Sequence, residues 1–133
     1  MIVGFTCGAF DLLHAGHIVM LKECKDQCDK LVVGLHTDPS IDREKKNKPI
    51  QTTYERFIQL KGCRYVDEVI PYDTEIDLIN ILSIENINVR FLGIEYKGTR
   101  ITGERICINR NINLIYTTRY HNYSSTELRS RIK

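Results

Sequence analysis

The feature that most constrains the fold is Lys30-Leu31-Val32-Val33-Gly34-Leu35-His36, an almost unbroken apolar run bounded by Asp29 and by Thr37-Asp38-Pro39. A strand with one wet face alternates apolar and polar residues. A run of this kind instead reads as a strand covered on both faces, as in a parallel sheet. An earlier apolar run, Met1-Ile2-Val3-Gly4-Phe5, precedes it, and between the two Ile18, Leu21, Cys24, Lys25 and Cys28 recur at helical spacing. Lys22, Glu23, Asp26 and Gln27 take the other side of that helix. Strand, helix and strand complete a β-α-β unit by about residue 36, whose crossover is right-handed.

The alternation continues down the chain. Thr52 with Glu55 three residues on is a capping box for a helix from Thr53 to Gly62. Arg64-Tyr65-Val66-Asp67-Glu68-Val69-Ile70 leads into a short strand ending at Pro71. A third helix is predicted from Thr74 to about Glu85, with Ile76, Ile79, Leu82 and Leu78 turned inward, followed by a strand over Val89 to Gly93. Residues 95–111 are loop punctuated by Gly98 and Gly103, with a short helix at Glu104 to Asn109. Ile112 to Tyr116 is a final strand, and Ser124-Ser125-Thr126-Glu127 opens a terminal helix to Ile132. Five short strands alternating with helices predict an α/β chain: a single doubly wound, Rossmann-like domain over residues 1–133. Its five-stranded sheet is mainly parallel, with helices on both faces.

Composition narrows the function classes. Of the 133 residues, 42% are hydrophobic and 27% charged, ordinary values that disfavour a disordered chain. No apolar run approaches the ~18 residues of a membrane span, and the N-terminal run lacks the flanks of a secretory signal. A cytoplasmic protein without a membrane partner is expected. Five cysteines, Cys7, Cys24, Cys28, Cys63 and Cys107, form no C-x-x-C framework and read as reduced, mostly buried thiols. The net charge of +2 is too small to argue for a nucleic-acid partner, and none is expected, but its distribution is uneven. From Lys97 onward eight basic residues face two acidic ones. Such a segment suits an anionic partner such as a nucleotide, although a solvated basic face has the same composition.

Chemistry is expected at Thr6-Cys7-Gly8-Ala9-Phe10-Asp11-Leu12-Leu13-His14-Ala15-Gly16-His17, between the first strand and the first helix. Unpaired N–H groups and the positive end of the helix dipole make a helix start an anion site, and two histidines stand beside it. In a doubly wound sheet ligands sit beyond the C-terminal strand ends. Four segments fall there: this turn, the cationic loop from Asp38 to Lys48, Gly93-Ile94-Glu95-Tyr96, and Arg119 to Thr126. Imidazoles, lysines and hydroxyls without an aligned nucleophile suit phosphoryl or nucleotidyl transfer. That chemistry rests on alignment and charge spreading more than on covalent help. His36 and His121 lack a partner pattern and read as structural or exposed.

Three blocks carry a resemblance: Gly8 to His17, Arg64 to Pro71, and Tyr123-Ser124-Ser125-Thr126. Together they resemble the small cytidylyltransferases, closest to glycerol-3-phosphate cytidylyltransferase, over essentially the whole chain. The resemblance implies a reaction of CTP with a small phosphorylated alcohol, best matched by glycerol 3-phosphate, giving a CDP-alcohol and pyrophosphate. Mg²⁺ would be held mainly by the nucleotide phosphates, with no protein metal site, and similar enzymes are homodimers. It implies that His14 and His17 stabilise the α-phosphate and departing pyrophosphate, with Thr6, Cys7, Gly8, Ala9, Phe10 and Gly16 close to the nucleotide. Asp11 would brace the turn or contact nucleotide or metal. Arg119, Tyr123, Ser124, Ser125 and Thr126 would hold phosphate or ribose oxygens, and Lys48 or Lys46 would close over the transferring phosphate. Arg64, Asp38 and Tyr96 are assigned to the acceptor, and Gly93 and Glu95 to the nucleotide. Where the family has Gly-x-Asp-Trp, this chain has Gly93-Ile94-Glu95-Tyr96, which alters reach in a base or acceptor pocket. An adenylyltransferase acting on a sugar phosphate or flavin mononucleotide is the alternative; a non-catalytic nucleotide or nucleic-acid binding module is the second. A helix start lowers a histidine pKa and bound phosphates raise it, so sequence leaves the charge on the pair open.

Overall fold

The computed structural model describes residues 1–118 and 125–132, with residues 125–128 described by their backbone. The β-α-β unit forms from β1 (Val3–Gly8), α1 (Ala15–Lys25) and β2 (Lys30–His36). It continues through α2 (Thr53–Lys61), β3 (Glu68–Tyr72), α3 (Glu75–Ile84) and β4 (Val89–Gly93). A 3-10 turn (Ile94–Tyr96), α4 (Glu104–Asn109), β5 (Asn113–Thr117) and α5 (Ser125–Ile132) follow. The five strands pair in the order β3-β2-β1-β4-β5, and every pairing is parallel. The expected α/β doubly wound sheet is therefore present. Among the described residues no helix is long and apolar enough to cross a membrane.

The β2 run is covered on both faces, as its composition required. Leu31, Val33 and Leu35 enter one core with Leu21 and Cys24 of α1 and Leu60 of α2. Val32, between them, enters the other with Val3, Phe5, Leu78 and Leu82 of α3, and Cys107 of α4. Alternate side chains of one strand thus supply two cores. The capping boxes at Thr52/Glu55 and Thr74/Asp77 start α2 and α3, the second with aspartate in the usual glutamate position.

Three expectations are corrected. Ile76 is 70% exposed rather than inward, because it lies two residues, about 200° of helix, from the buried Leu78. The third strand runs past Pro71 to Tyr72, which is possible because β3 is an edge strand. The first strand reaches Gly8 and α1 begins at Ala15, so the histidine turn is shorter than the apolar pattern suggested.

One detail of register creates the site. β1 pairs with β2 along its whole length, but with β4 only at Gly4↔Val89 and Phe5↔Arg90. Beyond that point Thr6 Oγ1 donates to the Phe91 carbonyl at 3.3 Å, and the two strands part toward their C-terminal ends. This is where strand order switches, the place where an open α/β sheet leaves a crevice.

Candidate active site

At the end of β1 the chain turns through Phe10 and Leu12 with φ of 50° and 51°. The left-handed region is costly for both side chains, so neighbours must hold them there. Phe10 is buried at 6% exposure, and Leu12 N–H donates to Gln51 Oε1 at 2.8 Å. The Asp11 carboxylate accepts N–H groups from Ile50 (2.7 Å) and Gln51 (2.9 Å). Asp11 thus braces the turn against the residues entering α2. Arg56, 2% exposed, completes the brace by donating to the carbonyls of Ala9 (3.1 Å), His36 (2.8 Å), Thr37 (2.7 Å) and Gln51 (3.2 Å). Sequence reasoning missed Arg56; its only signal was a long cation one position beyond the capping-box glutamate.

The two histidines do the capping of α1 themselves. His14 is the N-cap, and its Nδ1 accepts the Gly16 N–H at 3.0 Å. His17 Nδ1 accepts the His14 N–H at 3.1 Å. They fill the places that serine or threonine and glutamate take in an ordinary capping box. The rings stack with centroids 3.9 Å apart, and Phe10 packs against His17 at 5.6 Å. Because each Nδ1 is an acceptor, each neutral ring carries its proton on Nε2, a tautomer assigned from the bonding partners. Burial, then the positive charge His14 would carry, lowers the His17 pKa from 6.5 to about 4, against a smaller opposing effect of Asp11. Near neutral pH His17 is therefore an uncharged Nε2–H donor.

Both imidazoles line a pocket of about 890 Å³ at the parted strand ends. Thr6 to Phe10 and Gly16 share this wall, and Gly93, Glu95 and Tyr96 form part of the opposite one. Lys46 lines the pocket together with Arg43 and Asn47. Their loop is held across the mouth by Arg43 to Glu75 (2.9 Å) and by the Glu75 N–H on Asp42 (2.7 Å). Lys48 is not among the lining residues. Asp38 is turned to its own loop, accepting the Ser40 N–H at 3.0 Å and the Ser40 hydroxyl, which holds its carboxyl below the usual range. On the α1 side the wall ends at Thr117 and Thr118, the latter fastened by its N–H to Glu23 at 3.0 Å. Arg119, Tyr123 and Ser124 lie outside the described residues; Ser125 and Thr126 open α5 with their side chains likewise outside.

Arg64 is not brought to this pocket. It precedes β3, at the N-terminal end of a parallel sheet, exposed and stacked 5.7 Å from the Tyr65 ring. Its block has a structural role instead, because the Asp67 carboxylate accepts the Leu31 N–H at 2.7 Å and pairs with Lys25. His36 and Arg90 also line the pocket, on the α3 side, with Arg100 and Thr102 beyond them. Sequence reasoning took His36 for a structural or exposed residue and passed over Arg90, since a strand pattern does not say which end of a strand meets a cavity.

An open parallel sheet with a helix-capping imidazole pair at its switch point is the architecture of a mononucleotide-handling α/β domain. Comparison with known proteins makes this specific. The family model described as cytidylyltransferase-like matches residues 5–131. The chain belongs to that family, within the HxGH nucleotidyltransferase superfamily. The bifunctional protein HldE of Granulibacter bethesdensis is 38% identical over 104 residues, 76% of this chain and 21% of the relative. HldE of Caulobacter vibrioides is 31% identical over 131 residues, 98% of this chain and 27% of the relative. The chain therefore spans roughly a quarter of the length of these curated relatives. A lipopolysaccharide core biosynthesis protein from Thermoplasma volcanium superposes with a TM-score of 0.70 at 26% identity, covering 91% of this chain and 99% of that one. The pantothenate synthetase of Thermus thermophilus, at 12% identity and a TM-score of 0.64, covers 98% of this chain and 64% of that one and shares the fold.

Proposed function

We propose that this nucleotidyltransferase joins a nucleoside monophosphate to the phosphate of a small phosphorylated alcohol. An acceptor phosphate oxygen attacks the α-phosphorus of the nucleoside triphosphate, the α–β bridging P–O bond breaks, and pyrophosphate leaves with that electron pair. The attacking oxygen is already anionic near neutral pH, so the protein need not remove a proton. The observation that carries the reading is the stacked His14–His17 pair, whose Nδ1 atoms accept backbone N–H groups at the start of α1 while both rings line the pocket. Ring N–H donors so placed stabilise charge that grows on equatorial and leaving oxygens, without a change in their own protonation.

Lys46 is the loop cation proposed to meet the phosphates, with Lys48 the other candidate, and Arg119, Ser124, Ser125 and Thr126 are proposed for the far side. Mg²⁺ is proposed to arrive on the triphosphate. Among the described residues no three His, Cys, Asp or Glu side chains converge as a cation cage. Asp11 spends its carboxylate on two backbone amides. The ion, when bound, supplies charge neutralisation of the phosphates. CTP with glycerol 3-phosphate is the first pair proposed. ATP with a sugar phosphate is the second, favoured by the structural relative described as a lipopolysaccharide core biosynthesis protein. A homodimer and a cytoplasmic location are proposed on the resemblance alone. The test is pyrophosphate release with CTP or ATP, Mg²⁺ and a panel of phosphorylated acceptors; silence across the panel overturns the reading.

A further inference from the structure

The floor of the pocket on the α3 side is built differently from the imidazole wall. His36 and Tyr72 are register partners at the C-terminal ends of β2 and β3, and their rings stack at 4.6 Å and 21°. Tyr72 reaches across β2 because position 34 is glycine: a Cβ there would stand 2.8 Å from the Phe5 ring and 3.2 Å from the Tyr72 ring. Arg90 is the partner of Phe5 across the β1–β4 pair and so points to the same face. Both polar residues are buried, His36 at 6% and Arg90 at 3% exposure. Arg90 Nη1 donates to the Thr102 carbonyl, but Arg90 Nε and His36 Nε2 have no hydrogen-bond partner among the described residues. Such buried orphans are rare and cost stability, so each needs an explanation.

The surrounding charges say what would satisfy them. No described carboxylate pairs with Arg90: Glu75 is engaged by Arg43, and Glu95 folds over Gly93 at the exposed mouth. Asp38, the acid nearest His36 along the chain, is taken up by Ser40. His36 at the end of β2 and Arg90 deeper on β4 line the same pocket, and a guanidinium N–H and an imidazole nitrogen there match hydroxyl groups, which both donate and accept. An ammonium group offers only donors and brings a second positive charge toward Arg90.

Resting on the nucleotidyl-transfer reading, we propose that His36 and Arg90 form the recognition floor for the acceptor. The acceptor is accordingly a hydroxyl-rich phosphate, a polyol or sugar phosphate, and not an ammonium-bearing phospho-alcohol. Its phosphate passes over the end of β1 toward His14 and His17 while its hydroxyls rest on the floor. His36 and Arg90 are specificity residues here and take no part in the phosphorus chemistry.

The experiment compares glycerol 3-phosphate, a hexose 1-phosphate, phosphoethanolamine and phosphocholine as acceptors at saturating nucleotide. The variants are His36→Phe, which keeps the stacked ring and removes both nitrogens, and Arg90→Gln. The expected result is turnover confined to the hydroxyl-rich acceptors, with acceptor KM raised about tenfold or more in either variant, one hydrogen bond's worth, and nucleotide affinity unchanged. Preference for phosphoethanolamine or phosphocholine, or an unaltered acceptor KM in the folded variants, overturns it. A second readout is independent of turnover and of variant folding: the His36 Nε2 resonance of ¹⁵N-labelled wild-type protein, titrated with each acceptor alone. A shift with glycerol or hexose phosphate and none with the ammonium acceptors supports the floor; no shift with either hydroxyl-rich acceptor overturns it. Silence in the turnover assay combined with a specific His36 shift sinks the nucleotidyl-transfer reading and leaves the floor standing as a binding site.

Discussion

His17 accepts the backbone N–H of His14 at Nδ1, 3.1 Å away, while the two imidazoles stack 3.9 Å apart. The cap needs an unprotonated Nδ1, so helix integrity and ring neutrality are one condition.

That condition predicts an acid-sensitive fold. The His17 pKa is about 4 in the folded chain against 6.5 for an ordinary histidine. Between those values the unfolded chain takes up a proton that the folded one refuses. Stability is therefore complete above about pH 6.5 and falls as pH drops toward 4, by an amount on the order of 2–3 kcal/mol. Urea unfolding across this range should show the loss in wild type and a smaller one in His17→Gln, which retains a side-chain acceptor for the cap. An identical pH slope in both proteins would contradict the assignment.

At the phosphates the pair should matter for rate more than for binding. His14→Ala and His17→Ala are expected to lower kcat by about 10²–10³, the cost of removing one such donor, with nucleotide Kd changed only a few-fold. Losing the cap should also lower stability by about 1 kcal/mol, so kinetics must be read below the unfolding temperature. Equal losses in rate and nucleotide affinity would refute a transition-state role.

Arg56 holds four backbone carbonyls from three segments. Arg56→Met leaves them buried without donors and should cost about 3–5 kcal/mol by chemical denaturation, with Arg56→Lys a poor rescue because an ammonium lacks the planar fork. A loss below about 1 kcal/mol would show that the segments hold together without it.

Asp11→Ala should expose the Ile50 and Gln51 amides to faster hydrogen exchange and leave the Mg²⁺ dependence of turnover unchanged, since the carboxylate is spent on those amides. A shifted Mg²⁺ requirement with unchanged exchange would instead make Asp11 a metal contact.

Arg64→Ala should leave acceptor KM within about twofold, because the residue stands at the far end of the sheet and an exposed substitution there touches nothing in the pocket. An about tenfold rise would mean that Arg64 reaches a pocket through a second copy of the chain.

Much of this architecture was legible beforehand, for local reasons. The β2 run, the helical spacing of Leu21 and Cys24, and the capping box at Thr52 are short-range signals, and each element formed within a few residues of its expected place. Ile76 misled because Ile76, Leu78, Ile79 and Leu82 are all apolar, and only packing tells which stripe of α3 is covered. The histidine turn was legible as a strand-to-helix junction, because strand, glycine and helix start are contiguous.

What sequence by itself determined is the alternation of elements, the doubly wound class and the place of the histidine pair between β1 and α1. Tertiary structure alone decided three things. It made Nδ1 of His14 and of His17 a hydrogen-bond acceptor and kept His17 uncharged near neutral pH, since these atoms close a cap that exists only once α1 is built. It set Arg64 outside the pocket and put His36 and Arg90 in its lining, because lining depends on which strand ends share an edge. And it made a cavity at all, because β1 and β4 part after Phe5 and Arg90, a matter of register between segments 85 residues apart.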